Sequence, residues 1–264
     1  MSSKIRIGID TPDAWDAEWA RWFERYSRGI PRLGMWLARA YATSDCELLE
    51  LGAGSGRESR FLSRHTRSVT CVDFSAGAME ALRASNPPSN LRALTMDALN
   101  LEFPDRAFDL TFHKGFWSCF SDDVQIAQLF SEQLRVTRRS MLALVHNGAN
   151  APFHAMFQAK AETEKLYQVR FFKPDELLEI ANDGLAKAGV RGSVRLHGFG
   201  GVDWMHHGLG SLLPARLQGS LAALAYRLRP LRVAESLVLE VTPEAAREGV
   251  TQSPPPDARE DLYP

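Results

Sequence analysis

Leu48-Leu49-Glu50-Leu51-Gly52-Ala53-Gly54-Ser55-Gly56-Arg57 decides the fold: an apolar run of strand length meets three alternate glycines, and a helical pattern follows. Glycine is needed where the backbone turns tightly or lets a ligand approach closely, and the helix beyond offers unpaired N–H groups. The plain alternative is a structural strand-to-helix turn, which rarely calls for three alternate glycines. A dinucleotide fingerprint, G-x-G-x-x-G, would place its third glycine where Arg57 stands; here it falls one residue early, at Gly56. Glu50, two positions before Gly52, puts a carboxylate at the strand's end and favours a positively charged ligand.

Outward from that loop, short apolar runs alternate with amphipathic ones, the pattern of βαβ units around a mainly parallel sheet. Strands are predicted over Glu47 to Leu51, Ser68 to Val72, Leu91 to Thr95, Phe108 to Phe112 and Ser140 to Val145, with helices over Arg57 to Ser63, Ala76 to Ala84 and Asp122 to Val136. Beyond Asn147 the alternation lapses into a polar stretch as far as Arg170. A helix follows from Pro174 and ends before Gly189, and two further strands are predicted at Val194 to Leu196 and Ser236 to Val241. The segment between them is long enough to be expected as a cap over a pocket, residues 198–235. Upstream, Trp15, Trp19, Trp22, Phe23 and Tyr26 form one stripe of a helix, more often core than ligand wall, and a second helix is expected after Pro31.

The second and third strands end in acids. Asp73 stands twenty-one residues after Gly52, where an aspartate can accept both hydroxyls of a ribose; capping the next helix is its structural alternative. Asp97, beside Met96 and Ala98 and near Phe74, can receive the exocyclic amine of an adenine held between apolar side chains. Asp109 precedes an apolar strand and is expected to fix a turn.

The chain's 264 residues suit one large domain or a domain with an insert, and 45% apolar, 24% charged and 9% aromatic residues exclude wholesale disorder. Thirty-one basic residues against 32 acidic ones leave a formal charge of −1, so no global field favours nucleic acid. Three cysteines give neither a disulfide framework nor a Cys-rich zinc site, and no apolar run approaches the ~18 residues of a membrane helix. A cytoplasmic protein with no membrane attachment is expected.

Glu50 to Gly56, Asp73, Met96-Asp97-Ala98 and Phe108-Asp109-Leu110 together make the sequence resemble the class I S-adenosylmethionine-dependent methyltransferases over about residues 46 to 147, and in outline over 171 to 241. The resemblance implies a Rossmann-like, doubly wound α/β fold with a seven-stranded sheet in the order 3-2-1-4-5-7-6 and the last strand antiparallel. It also implies an N-terminal helical lid at 1–45 and a methyltransferase domain at 46–245, while the proline-rich Ser253-Pro254-Pro255-Pro256 makes the tail at 246–264 read as disordered. On the same ground, Glu50, Gly52, Ala53, Gly54 and Gly56 line the methionine part of S-adenosylmethionine, Asp73 holds the ribose, and Phe74, Met96, Asp97 and Ala98 surround the adenine. Tyr26 or Arg28 is a candidate for the cofactor's carboxylate.

His113 leaves the fourth strand at the carboxyl edge and is expected beside the methyl donor, as cofactor contact and base; packing under the loop is its alternative. His146 leaves the fifth strand on the same edge and ranks below it. His206 and His207 lack a third ligand, so no metal is expected. The family's Asn/Asp-Pro-Pro-aromatic motif is replaced by His113-Lys114-Gly115-Phe116, which points away from DNA bases and protein amides toward an oxygen or nitrogen of a small-molecule acceptor. The competing readings are a nicotinamide oxidoreductase, disfavoured by Arg57, and a non-catalytic scaffold that keeps the fold.

Overall fold

The computed structural model describes residues 11–41, 43–200 and 230–244. Helices α1 (Pro12–Ser27) and α2 (Arg32–Ala40) precede β1 (Glu47–Leu51), α3 (Arg57–Leu62), β2 (Ser68–Asp73), α4 (Ala76–Ala84), β3 (Leu91–Thr95) and β4 (Phe108–Lys114). Then come α5 (Asp123–Val136), β5 (Thr137–His146), α6 (Ala151–Ala161), α7 (Pro174–Ala188), β6 (Gly192–Phe199) and β7 (Ser236–Pro243). The strands form one seven-stranded sheet, β3-β2-β1-β4-β5-β7-β6, parallel from β3 to β5, with β7 antiparallel to both β5 and β6. This is the Rossmann-like order the sequence implied.

Burial explains the strand compositions. The central strands β1 and β2 are covered on both faces and read as nearly unbroken apolar runs, whereas β3, at the edge, alternates buried Leu91 and Ala93 with exposed Arg92 and half-buried Leu94. On one face Leu49, Leu51, Ala143 and Val145 pack with Phe130 of α5 and Leu177 of α7; on the other Leu48, Leu110, Phe112 and Leu144 pack with Leu33 and Leu37 of α2. Helix α7 begins with Pro174 at its first turn, where Glu176 Oε2 accepts the Lys173 N–H, and stops at Gly189, whose φ of +64° suits the left-handed cap.

Several elements run further than the sequence predicts. Strand β4 continues through His113 to Lys114, β5 spans ten residues, β6 reaches Phe199, and α6 folds inside the stretch read as irregular. Of the expected cap, 198–199 lie in β6 and 231–233 form a short 3-10 turn. Residues 201–229, His206 and His207 among them, and the tail at 246–264 lie outside the described residues.

Candidate functional site

The carboxyl ends of β1 to β5 converge on a cavity of about 950 Å³, at the upper end of the roughly 300–1,000 Å³ usual for small-molecule sites. Its floor is the glycine loop after β1. Gly52, Gly54 and Gly56 all adopt positive φ, +58°, +52° and +63°, so each meets the conformational need that placed glycine there. Their surroundings differ. A Cβ on Gly52 would stand 2.3 Å from the Phe116 ring and one on Gly54 2.1 Å from the Trp19 ring, while one on Gly56 would meet Leu82 at 2.5 Å. Gly52, Ala53, Ser55 and Arg57 line the cavity. Gly54 is roofed by Trp19 and Gly56 packs on the α4 core; their expected place in the cavity wall is corrected to shaping the loop.

Asp73 closes that loop from the neighbouring strand. Its Oδ2 accepts the Gly54 N–H at 2.9 Å and its Oδ1 the Ser75 N–H at 3.0 Å, while the carboxylate still lines the cavity. Burial pushes its pKa up to about 6 against the pull of those two N–H groups. Helix α4 is capped by Ser75, whose Oγ accepts the Ala78 N–H, so the capping alternative for Asp73 falls away. Phe74, Met96, Asp97 and Ala98 lie on the same wall, with exposed Asp97 accepting the Leu99 N–H through Oδ1.

Glu50 lines the cavity but turns its Oε2 to the Ser59 N–H and hydroxyl; burial lifts its pKa to about 8 despite those bonds. Beside it lies a group of charges that sequence reasoning missed. Glu58 Oε1 is held by Lys114 Nζ at 2.7 Å and by Arg57 at 2.9 Å, and Oε2 accepts the Gly34 N–H at 2.8 Å. Burial drives the Glu58 pKa up, but the two cations more than offset that and hold it below its ordinary value. Asp109, expected to fix a turn, lies within β4 and ties it to its neighbours: its Oδ2 accepts the Glu47 N–H of β1 and its Oδ1 pairs with Arg138 of β5.

Helix α1 supplies the opposite wall. None of its residues is fully buried; Trp15, Glu18, Trp19, Trp22 and Tyr26 face the cavity, while Trp19 and Phe23 also pack on the cluster around Met79 and Leu82, so the aromatic stripe spans a hollow and a core. It is anchored by Asp16 Oδ1, which accepts the Ser75 hydroxyl and the Gly77 N–H. Tyr26 is thus at the wall, whereas Arg28 pairs on the exposed surface with Glu24.

His113 is not at the wall. Its register partners Leu51 and Ala143 belong to the α5/α7 face, and the two-residue alternation of β4 sends it there with Trp117, ring centroids 5.0 Å apart. It is fully buried, neither ring nitrogen has a partner, and burial drops its pKa to about 3. The expected roles of base and cofactor contact are corrected to packing. The same alternation brings Lys114 and, from β5, His146 to the cavity. The far wall is α6 and the 3-10 turn Lys165–Tyr167, through Phe153, Met156, Phe157 and Tyr167. Phe153 and Phe157 at i and i+4 were the available signal.

Carboxylates at the ends of β2 and β3 with apolar flanks form an acceptor set that fits a cationic, nucleoside-bearing cofactor, whereas Glu50, turned to Ser59 and holding its proton, adds no charge to it; among the described residues no cluster of His, Cys, Asp and Glu could hold a metal. Residues 48–140 match a family model described as a methyltransferase domain. Curated proteins give no match to the chain. Among solved structures, the chain is similar to one from the Haloferax volcanii complex containing the Trm112 methyltransferase activator (TM-score 0.60, 16% identity, 88% of this chain and 97% of that one). A SAM-dependent methyltransferase of Thermotoga maritima gives a TM-score of 0.57 at 18% identity over 86% and 96% of the two chains. The [4+2]-cyclase SpnF gives 0.52 at 17% identity, covering 80% of each. At such identities the likeness is one of fold.

Proposed function

We propose that this chain, whose residues 48–140 match a methyltransferase domain, is a class I S-adenosylmethionine-dependent methyltransferase that passes the methyl group to an oxygen or nitrogen of a small-molecule acceptor. One observation carries this reading: a single cavity joins the glycine loop and the acids Asp73 and Asp97 to a separate aromatic end beyond Lys114 and His146. The first part suits the cofactor, with Asp73 on the ribose hydroxyls, Phe74 and Met96 about the adenine and Asp97 near its amine. Gly52, Ala53 and Glu50 border the methionine part. The second part, lined by Phe153, Phe157 and Tyr167, suits an apolar organic acceptor.

When bound, the cofactor supplies an activated methyl on a sulfonium, so the protein's task is mainly alignment and exclusion of water. Alignment in line can account for ~7–11 kcal/mol of barrier lowering. Trp15, Trp19 and Trp22 of α1 wall the cavity on one side, and Lys114, paired with Glu58, lines it from β4. Fold alone does not assign chemistry, so the test is direct. Isothermal titration with S-adenosylmethionine and with NADH, followed by transfer of a labelled methyl into a pool of small hydroxy and amino compounds, should show S-adenosylmethionine binding and labelled product. Binding of NADH alone would return the nicotinamide reading, and cofactor binding without any labelled product would favour the scaffold.

A further inference from the structure

The aromatic end of the cavity has a composition of its own. His146 sits in it with ring centroids 4.7 Å from Phe157, 6.0 Å from Phe153 and 5.4 Å from Phe171, and Phe157 is 5.0 Å from Tyr167. The acids lining the cavity, Glu18, Glu50, Glu58, Asp73 and Asp97, all come from α1, α3 or the ends of β1 to β3. The charges that α6 and β4 bring are cationic, Lys160 with its Nζ 4.7 Å from the Tyr167 ring, and Lys114. Nδ1 of His146 is buried without a partner, while Nε2 lies 3.9 Å from where a Gly115 Cβ would stand, beside another wall residue.

We infer that this end binds an uncharged aromatic alcohol, a phenol whose ring lies among Phe153, Phe157 and Tyr167 and whose O–H donates to His146 Nε2. The inference rests on the methyltransferase reading and names its acceptor. Aliphatic amines are cationic at neutral pH and would meet Lys160, with no carboxylate among the residues that α6 and β5 bring to the cavity and Lys114 already paired with Glu58. A phenol brings a flat ring suited to edge and tilted contacts with the three aromatic residues and one acidic proton. The imidazole, neutral because burial and Lys114 lower its pKa to about 4, keeps a lone pair for that proton. In the transfer the acceptor oxygen bonds to the methyl carbon as the carbon–sulfur bond breaks, and that electron pair stays on sulfur. The oxygen turns strongly acidic as it gains the methyl, so its proton passes to Nε2 and then to solvent when the ether leaves.

The probe is 2-naphthol, titrated into protein saturated with S-adenosylhomocysteine, beside (2-naphthyl)trimethylammonium as the cationic control. Wild type should bind 2-naphthol and not the cation, and Phe157→Leu and His146→Ala should each weaken 2-naphthol about tenfold while binding of S-adenosylhomocysteine is unchanged. His146→Gln, which keeps a hydrogen-bond acceptor, should restore most of the 2-naphthol affinity but not methyl transfer. Met156→Ala, a change at an exposed position of the same wall, guards against variants that fail to fold and should weaken 2-naphthol in the same direction. Equal or tighter binding of the cation, or unchanged 2-naphthol binding in His146→Ala, overturns the phenol assignment while the cofactor reading stands. Loss of S-adenosylhomocysteine binding in wild type overturns both.

Discussion

Asp73 serves the loop and the ligand with the same carboxylate. Two backbone N–H groups fix its orientation, and each oxygen keeps a lone pair for a ribose hydroxyl. Hydrogen bonds to a charged acceptor contribute roughly 1.5–3 kcal/mol each, so Asp73→Asn should weaken S-adenosylmethionine about a hundredfold by titration. With its pKa near 6, wild-type affinity should also fall as the pH drops below that value, and the variant should show no such dependence. At this scale the sequence was informative where backbone need and position coincide. Gly52 and Asp73 could be placed because a tight turn and a strand end each restrict the residue. His113 could not, since which of two adjacent residues faces a cavity depends on where β4 ends, and the strand runs two residues past the apolar run that predicted it.

Helix α1 contributes to the site without a fully buried residue, and its hold on the domain combines the packing of Trp19 and Phe23 on the α4 cluster with a few polar contacts. Asp16 makes two of them, and Asp16→Ala should loosen the helix. We expect a several-fold loss of cofactor affinity with a small change in melting temperature, checked by titration and by tryptophan fluorescence. Gly54→Ala should be harsher, because a methyl there would displace Trp19 and the residue would stay at a φ of +52°. Thermal unfolding should fall by several degrees, and a variant as stable as wild type would remove Trp19 from the roof. The helices of the βαβ core were legible from their period. Helix α6 was not: its apolar residues are spread around the axis with no amphipathic period, because Phe153 and Phe157 face a hollow and therefore need no continuous apolar stripe.

For the molecule as a whole, the buried carboxylates set how stability responds to pH. Glu50 holds its proton up to about pH 8 when folded, whereas in the unfolded chain it loses it near its ordinary value of 4.5. Its contribution is fully present below 4.5 and is lost as the pH rises through 8; Asp73 acts in the same sense up to about 6. Glu58, held below its ordinary value, acts oppositely and only in acid. Melting temperature without cofactor should therefore decline between pH 5 and 9, and Glu50→Gln should flatten the upper part of that decline. The sheet order was legible from the family resemblance because parallel strands buried on both faces leave unbroken apolar runs. The acceptor end was not, since it is built by elements far apart in the chain, β5, α6 and the turn at Lys165–Tyr167.

The central claim is that a cationic, adenosine-bearing cofactor lies across the glycine loop in the grip of the second and third strands. A crystal structure with S-adenosylhomocysteine tests it most directly. The account predicts both ribose hydroxyls within roughly 2.6–3.2 Å of the Asp73 carboxylate and the adenine between Phe74 and Met96. A nucleoside bound elsewhere, or out of contact with Asp73, would contradict it.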